Sequence, residues 1–107
     1  MTVDGQTTIK YLQSYIRQKD CKPELLMHYF LKLSEEVGEL ACAMRKDVKA
    51  PDLEHLKGTI DEELWDVIYY ALAIANVYGI DMEEVIRVKA EMAERKYPSG
   101  VKFESGR

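Results

Sequence analysis

Apolar residues recur every three or four positions along most of this chain, and nowhere alternate with polar ones long enough to suggest a strand. Ile9, Leu12 and Ile16 share one stripe and predict a first helix from Thr8 to Lys19. Pro23 suits the opening turn of a second helix that continues to about Asp47, with a seam of Leu26, Phe30, Leu33, Val37, Leu40 and Met44 facing the core. Val48 to Gly58, interrupted by Pro51, reads as a connection holding one short turn. Thr59-Ile-Asp-Glu62 has the form of a capping box and opens a third helix that Gly79 ends. The seam of that helix is Ile60, Leu64, Val67, Ala71, Ile74 and Tyr78. Asp81-Met-Glu-Glu84 repeats the box and opens a fourth helix, which stops before Pro98. Short connections favour antiparallel neighbours, so the expected fold is all-α, a small four-helix bundle. Residues 1–107 read as a single domain, with 1–6 and 99–107 as flexible tails.

The third helix carries Trp65, Ile68, Tyr69 and Leu72 outside its seam and is apolar nearly all round. A bundle this small cannot cover such a helix, which predicts a homodimer or homotetramer formed through its surfaces. Composition adds mainly exclusions. With 47% hydrophobic and 32% charged residues the chain is globular, and a net charge of −4 argues against a nucleic-acid groove. Met1 to Lys10 has no signal-peptide character, and the apolar run from Val67 to Ala75 is too short to span a bilayer. Cys21 and Cys42 form neither a metal-type spacing nor a disulfide framework. These features together predict a cytoplasmic protein without membrane or nucleic-acid partners.

Charge placement changes the picture further. Glu35, Glu36 and Glu39 fall within about one turn, with no lysine or arginine beside them until Arg45. On the helical wheel Glu36 lies roughly 80° to one side of its seam, with Glu39 farther round. Glu63 lies roughly 60° and Asp66 roughly 120° off the third helix's seam in the same rotational sense, with Tyr70 beside them. Taken singly, either acidic pair fits a solvated helix face. Two pairs spaced i and i+3, both on core-flanking shoulders of neighbouring helices, instead suggest a shared cleft. Converging carboxylates must take up protons or hold a cation, and an all-oxygen set suits Mg²⁺ or Mn²⁺. Because Mg²⁺ also binds substrate phosphates, the cluster reads as a phosphate-handling site. Residues 34–66 hold ten acids against four bases, whereas 87–107 hold six bases against three acids, an acidic cradle beside a basic segment.

Glu36-Val-Gly-Glu39, then 23 residues, then Glu63-Leu-Trp-Asp66 resembles the E-x-x-E…E-x-x-D signature of the MazG-like, all-α nucleoside triphosphate pyrophosphohydrolases. Its flanks, "LSEEVGEL", "DEELWDVIYYALAIANVYGID" and "VKAEMAERKYP", are similar too, so the resemblance covers roughly Phe30 to Pro98. It implies Mg²⁺-dependent hydrolysis between the α- and β-phosphates, giving a nucleoside monophosphate and pyrophosphate in nucleotide-pool house-cleaning. Glu36, Glu39, Glu63 and Asp66 would be the metal ligands, with Mn²⁺ a substitute ion. Glu35 would be the base for the attacking water or an acid supporting the ligands. Tyr70 would face the nucleotide, and Lys89, Arg95 and Lys96 would reach triphosphate oxygens, from a neighbouring subunit if need be. Ala93 stands where deoxycytidine-preferring relatives resemble one another in having Asn, so the base stays open. Tyr11, Tyr15, Trp65 and Tyr97 are candidates to stack on it.

Two rivals remain. A di-iron bundle needs Glu-x-x-His pairs, and neither His28 nor His55 stands three residues after a glutamate. A non-catalytic, partner-binding or regulatory bundle with a relic metal site is the other.

Overall fold

The computed structural model describes residues 1–101; the last six positions of the expected C-terminal tail lie outside the described residues. Four helices follow one another: α1 (Ile9–Arg17), α2 (Leu26–Arg45), α3 (Ile60–Tyr78) and α4 (Met82–Lys96), with no strand among the described residues. Single 3₁₀ turns at Pro23–Leu25 and Leu53–His55 precede α2 and interrupt the long connection.

Local hydrogen bonds fix the helix ends. Thr8 caps α1 through the Tyr11 amide, and Thr59 caps α3 through the Glu62 amide. The second half of the expected capping box differs slightly, because the Thr59 amide already bonds Leu56 and Glu62 Oε1 accepts from Gly58 instead, at 2.8 Å. Asp81 caps α4 through the Glu83 amide, while Glu84 turns to Arg87 at 2.8 Å. Gly79 ends α3 in the left-handed region, φ 70°, where a side chain would be strained. Asp47 does the same after α2 at φ 53°, with the Val48 amide returning to the Ala43 carbonyl. The N-terminal segment is tied to α1 by the Thr2 amide on the Tyr11 hydroxyl, 3.1 Å.

The centre of the structure is α3. It runs antiparallel to α2: Glu36 meets Glu63 and Asp66, while Lys32, one turn earlier, lies over the ring of Tyr70, one turn later. On its other side it runs antiparallel to α1, where Ile16 packs on Leu72 and Ala73, surrounded by Leu12, Tyr15, Trp65, Tyr69 and Met82. A buried polar clamp adds to this contact. Gln13 Nε2 donates to Asn76 Oδ1 at 3.0 Å and to the Ile80 carbonyl at 2.9 Å, Asn76 Nδ2 donates to the Gln13 carbonyl, and Gln13 Oε1 accepts from the Met82 amide. That clamp, with Glu83 accepting from the Lys10 amide, attaches the first turn of α4 to α1. The rest of α4 has no buried residue.

Two expectations need correction. The α2 residues facing the bundle are Tyr29, Glu36 and Ala43, whereas Phe30, Val37 and Met44 of the expected seam are exposed. Leu64, Ala71 and Tyr78 of the expected α3 seam are exposed as well. Both seams are rotated, because each helix carries more apolar surface than one neighbour covers. Conversely Trp65, Tyr69 and Leu72, expected to face a partner subunit, are taken up by α1, and only Ile68 of that group stays exposed.

Candidate metal centre and active site

Rotation of α2 places Glu36 inside the α2–α3 interface rather than on its shoulder. Glu36 and Glu63 are 7% and 5% exposed, burial that a carboxylate resists unless it is paired or protonated. Ligand-type atoms of Glu36, Glu63 and Asp66 lie within 4.8 Å of one another, and those of Glu35, Glu36 and Glu39 form a second such group. Glu36 belongs to both. Glu35 and Glu39 are exposed, so the acids run continuously from the helix interface to the surface.

The electrostatics follow from burial. Desolvation, then a hydrogen bond shared with Glu63, then the charges of Glu39 and Asp66 push the Glu36 carboxyl up to about 7. Glu63 is also raised, chiefly by burial, and Asp66 is raised by burial and by the charge of Glu62. Without an ion, burial and mutual repulsion favour the protonated forms of Glu36 and Glu63. Even so, Glu36 Oε2 and Glu63 Oε2 are buried with no hydrogen-bond partner. Two orphaned carboxylate oxygens among four or five hard donors fit a divalent cation with oxygen preference. No histidine or cysteine joins either group among the described residues, which sets the di-iron reading aside.

Lys32, absent from the sequence-level candidates, stands against this cluster. Its Nζ lies 3.0 Å from Glu35 Oε1 and 3.9 Å from Glu36 Oε1. The signal was there: Lys32 precedes Glu35 by three residues and Glu36 by four, so the acids do have a cation beside them before Arg45. Tyr70 is half-buried, 6.0 Å from Lys32 Nζ, and its phenol is pushed up by burial. Its neighbour Tyr69 donates to Asp20 at 2.5 Å, and its phenol too is pushed up by burial and by that carboxylate. Trp65 and Tyr15 sit at the α1–α3 core, Tyr11 is half-exposed and Tyr97 is exposed, so the stacking candidates are scattered.

Lys89, Arg95 and Lys96 are not brought onto the acids. All three are exposed on α4, whose main contact is with α1, and none forms an ion pair among the described residues. A groove of about 870 Å³ lies along α4, between Ala90, Ala93, Arg95, Tyr97 and Val101, apart from the acidic cluster.

The structure is thus an all-α antiparallel arrangement with four acids at two i,i+3 spacings across its central helix pair. Residues 23–100 match the family model described as the MazG nucleotide pyrophosphohydrolase domain. The chain belongs to that family. It is also similar to iMazG from Vibrio DAT 722: the crystal structure of the Ntag form superposes with a TM-score of 0.78 at 43% identity, covering 86% of this chain and 99% of that one. The Ctag form gives 0.78 at 43% identity, covering 82% of this chain and 99% of that one. No curated protein matches the sequence. Among the described residues no helix is long and apolar enough to cross a membrane.

Proposed function

We propose that this chain, acting as one domain, hydrolyses a nucleoside or deoxynucleoside triphosphate to the monophosphate and pyrophosphate, in cytoplasmic nucleotide house-cleaning. The observation that carries the proposal is the pair of buried, partnerless oxygens on Glu36 and Glu63, facing each other across α2 and α3. Glu36, Glu39, Glu63 and Asp66 would hold Mg²⁺, with Mn²⁺ a substitute. A bound divalent ion there supplies Lewis-acid charge for phosphoryl oxygens and for the attacking water.

The chain's own residues do the remainder. Glu35, exposed at the surface end of the cluster, takes the proton from water as its oxygen attacks the α-phosphorus. The bond from that phosphorus to the bridging oxygen breaks, and pyrophosphate leaves with the electron pair. Tyr70 lines the cleft one turn beyond Asp66, on the side given to the nucleoside. Lys89, Arg95 and Lys96 reach the triphosphate from a second copy of the chain, which fits their exposure away from the acids of their own chain. Phe30, Val37 and Met44 on α2, Leu64 and Ile68 on α3, and Val85, Val88 and Met92 on α4 supply exposed apolar surface for a homodimer or homotetramer. Neither nucleic acid nor membrane is required.

Pyrophosphate release from a panel of nucleoside triphosphates with Mg²⁺ tests the proposal. Release from at least one, lost in Glu39→Gln and in Asp66→Asn with helicity unchanged, is the expected result. Wild-type rates in either variant overturn the site assignment. No release from any triphosphate returns the chain to a non-catalytic role.

A further inference from the structure

Lys32 has three relationships that a surface lysine usually lacks. It sits one turn before Glu36 on the same face of α2, with its side chain only 31% exposed. Its ammonium makes a close bond to Glu35 and a looser one, 3.9 Å, to Glu36 Oε1, leaving Glu36 Oε2 without a donor. The Tyr70 ring across the cleft bounds the space the ammonium can occupy. Lys32 is also the cation whose charge reaches Asp66, and no other lysine or arginine pairs with these acids among the described residues. Helical pairing alone gives little reason for the arrangement, since lysine N-terminal to glutamate is the weaker orientation.

We propose that Lys32 is the positioning residue of the cleft: it is the resident counter-ion of Glu35 and Glu36, yields Glu36 to an incoming divalent cation, and keeps hold of Glu35. The inference rests on the reading that Glu36 holds a metal ion. A divalent cation at Glu36 and an ammonium a few ångströms away repel each other, so Lys32 weakens ion binding while it orders Glu35 for its work on water. Removing the charge therefore has opposite effects on affinity and turnover. A purely structural lysine would not behave this way, because its loss loosens the site and weakens both.

Lys32→Met keeps an unbranched stem one atom shorter and removes the charge; Lys32→Arg keeps the charge. Mn²⁺ titration by calorimetry in about 0.1 M salt should show Lys32→Met binding about three- to tenfold more tightly than wild type. Its kcat should fall by about tenfold or more with KM changed far less, as for a group that acts on the reaction rather than on binding. Lys32→Arg should return both values toward wild type. Ion-free melting and far-UV circular dichroism confirm that each variant is folded. Equal or weaker Mn²⁺ binding in a folded Lys32→Met protein overturns the inference while leaving a wild type that binds Mn²⁺ and hydrolyses triphosphate untouched. A wild type that takes up no Mn²⁺ overturns both. A wild type that takes up Mn²⁺ but hydrolyses nothing defeats the enzymatic reading alone, and the affinity comparison still decides whether Lys32 competes with the ion.

Discussion

Glu36 on α2 and Glu63 on α3 face one another across the helix interface, each with one buried oxygen that no donor reaches. Burial, and then the charges of the neighbouring acids Glu39 and Asp66, raise the proton affinity of both, although Lys32 Nζ lies 3.9 Å from Glu36 Oε1. A folded core that holds such a pair gives up stability for chemistry, and that cost can be measured.

The first consequence is a pH dependence in the ion-free protein. Glu36 has an ordinary value of 4.5 and is pushed up to about 7, so the folded state binds more protons than the unfolded one between those limits. Stability is then greatest near pH 4.5 and falls as pH rises to 7, by about 3 kcal/mol at most from this group. Melting of the chelator-treated protein should move to lower temperature across that window, and millimolar Mg²⁺ at pH 8 should reverse the loss. A flat profile between pH 5 and 7 would contradict the buried acid pair.

Glu36→Gln separates fold from function. The amide removes the charge and offers a donor to Glu63 Oε2, so the ion-free protein should gain about 1–3 kcal/mol at pH 8. Pyrophosphate release should fall at least about a hundredfold, as expected when a metal-binding acid is lost. Chemical denaturation and a pyrophosphate assay on one preparation check both halves.

Asn76 tests the clamp that sets the start of α4. Its amide accepts from Gln13 and Arg17 and donates to the Gln13 carbonyl. Asn76→Leu strands these groups in a buried place and should cost about 2–4 kcal/mol. Amide exchange at Met82 and Glu83 should accelerate more than exchange in the middle of α2. Uniform acceleration instead would mean the clamp is not specific to the α3–α4 corner.

Phe30 and Val37 test assembly. Both are about half exposed on the outward side of α2. A double change to Asp should convert a dimer or tetramer to a species near 12 kDa in light scattering, with helicity retained. If wild type already scatters as a monomer at micromolar concentration, the proposed supply of Lys89, Arg95 and Lys96 from a second copy fails with it.

How much of this was legible beforehand depends on the range of the interactions. Thr8, Thr59, Asp81 and Gly79 mark helix ends because a cap acts on amides two or three residues away, inside the sequence window that shows it. The two acidic pairs were legible for the same reason, since i,i+3 spacing places side chains on one side of any helix. Which arc of α2 and α3 faces inward was not legible. Both helices are apolar over more than half their circumference, and a wheel ranks stripes by hydrophobicity rather than by fit. Tyr29, Glu36 and Ala43 occupy the α2 interface that the sequence assigned to Phe30, Val37 and Met44. The sequence by itself determined four helices, their caps and the residues of an acidic centre. Only the tertiary structure decided that Glu36 is buried, that Tyr70 lies across from Lys32, and that α1 covers Trp65, Tyr69 and Leu72, because these depend on how neighbouring helices rotate to close-pack against one another.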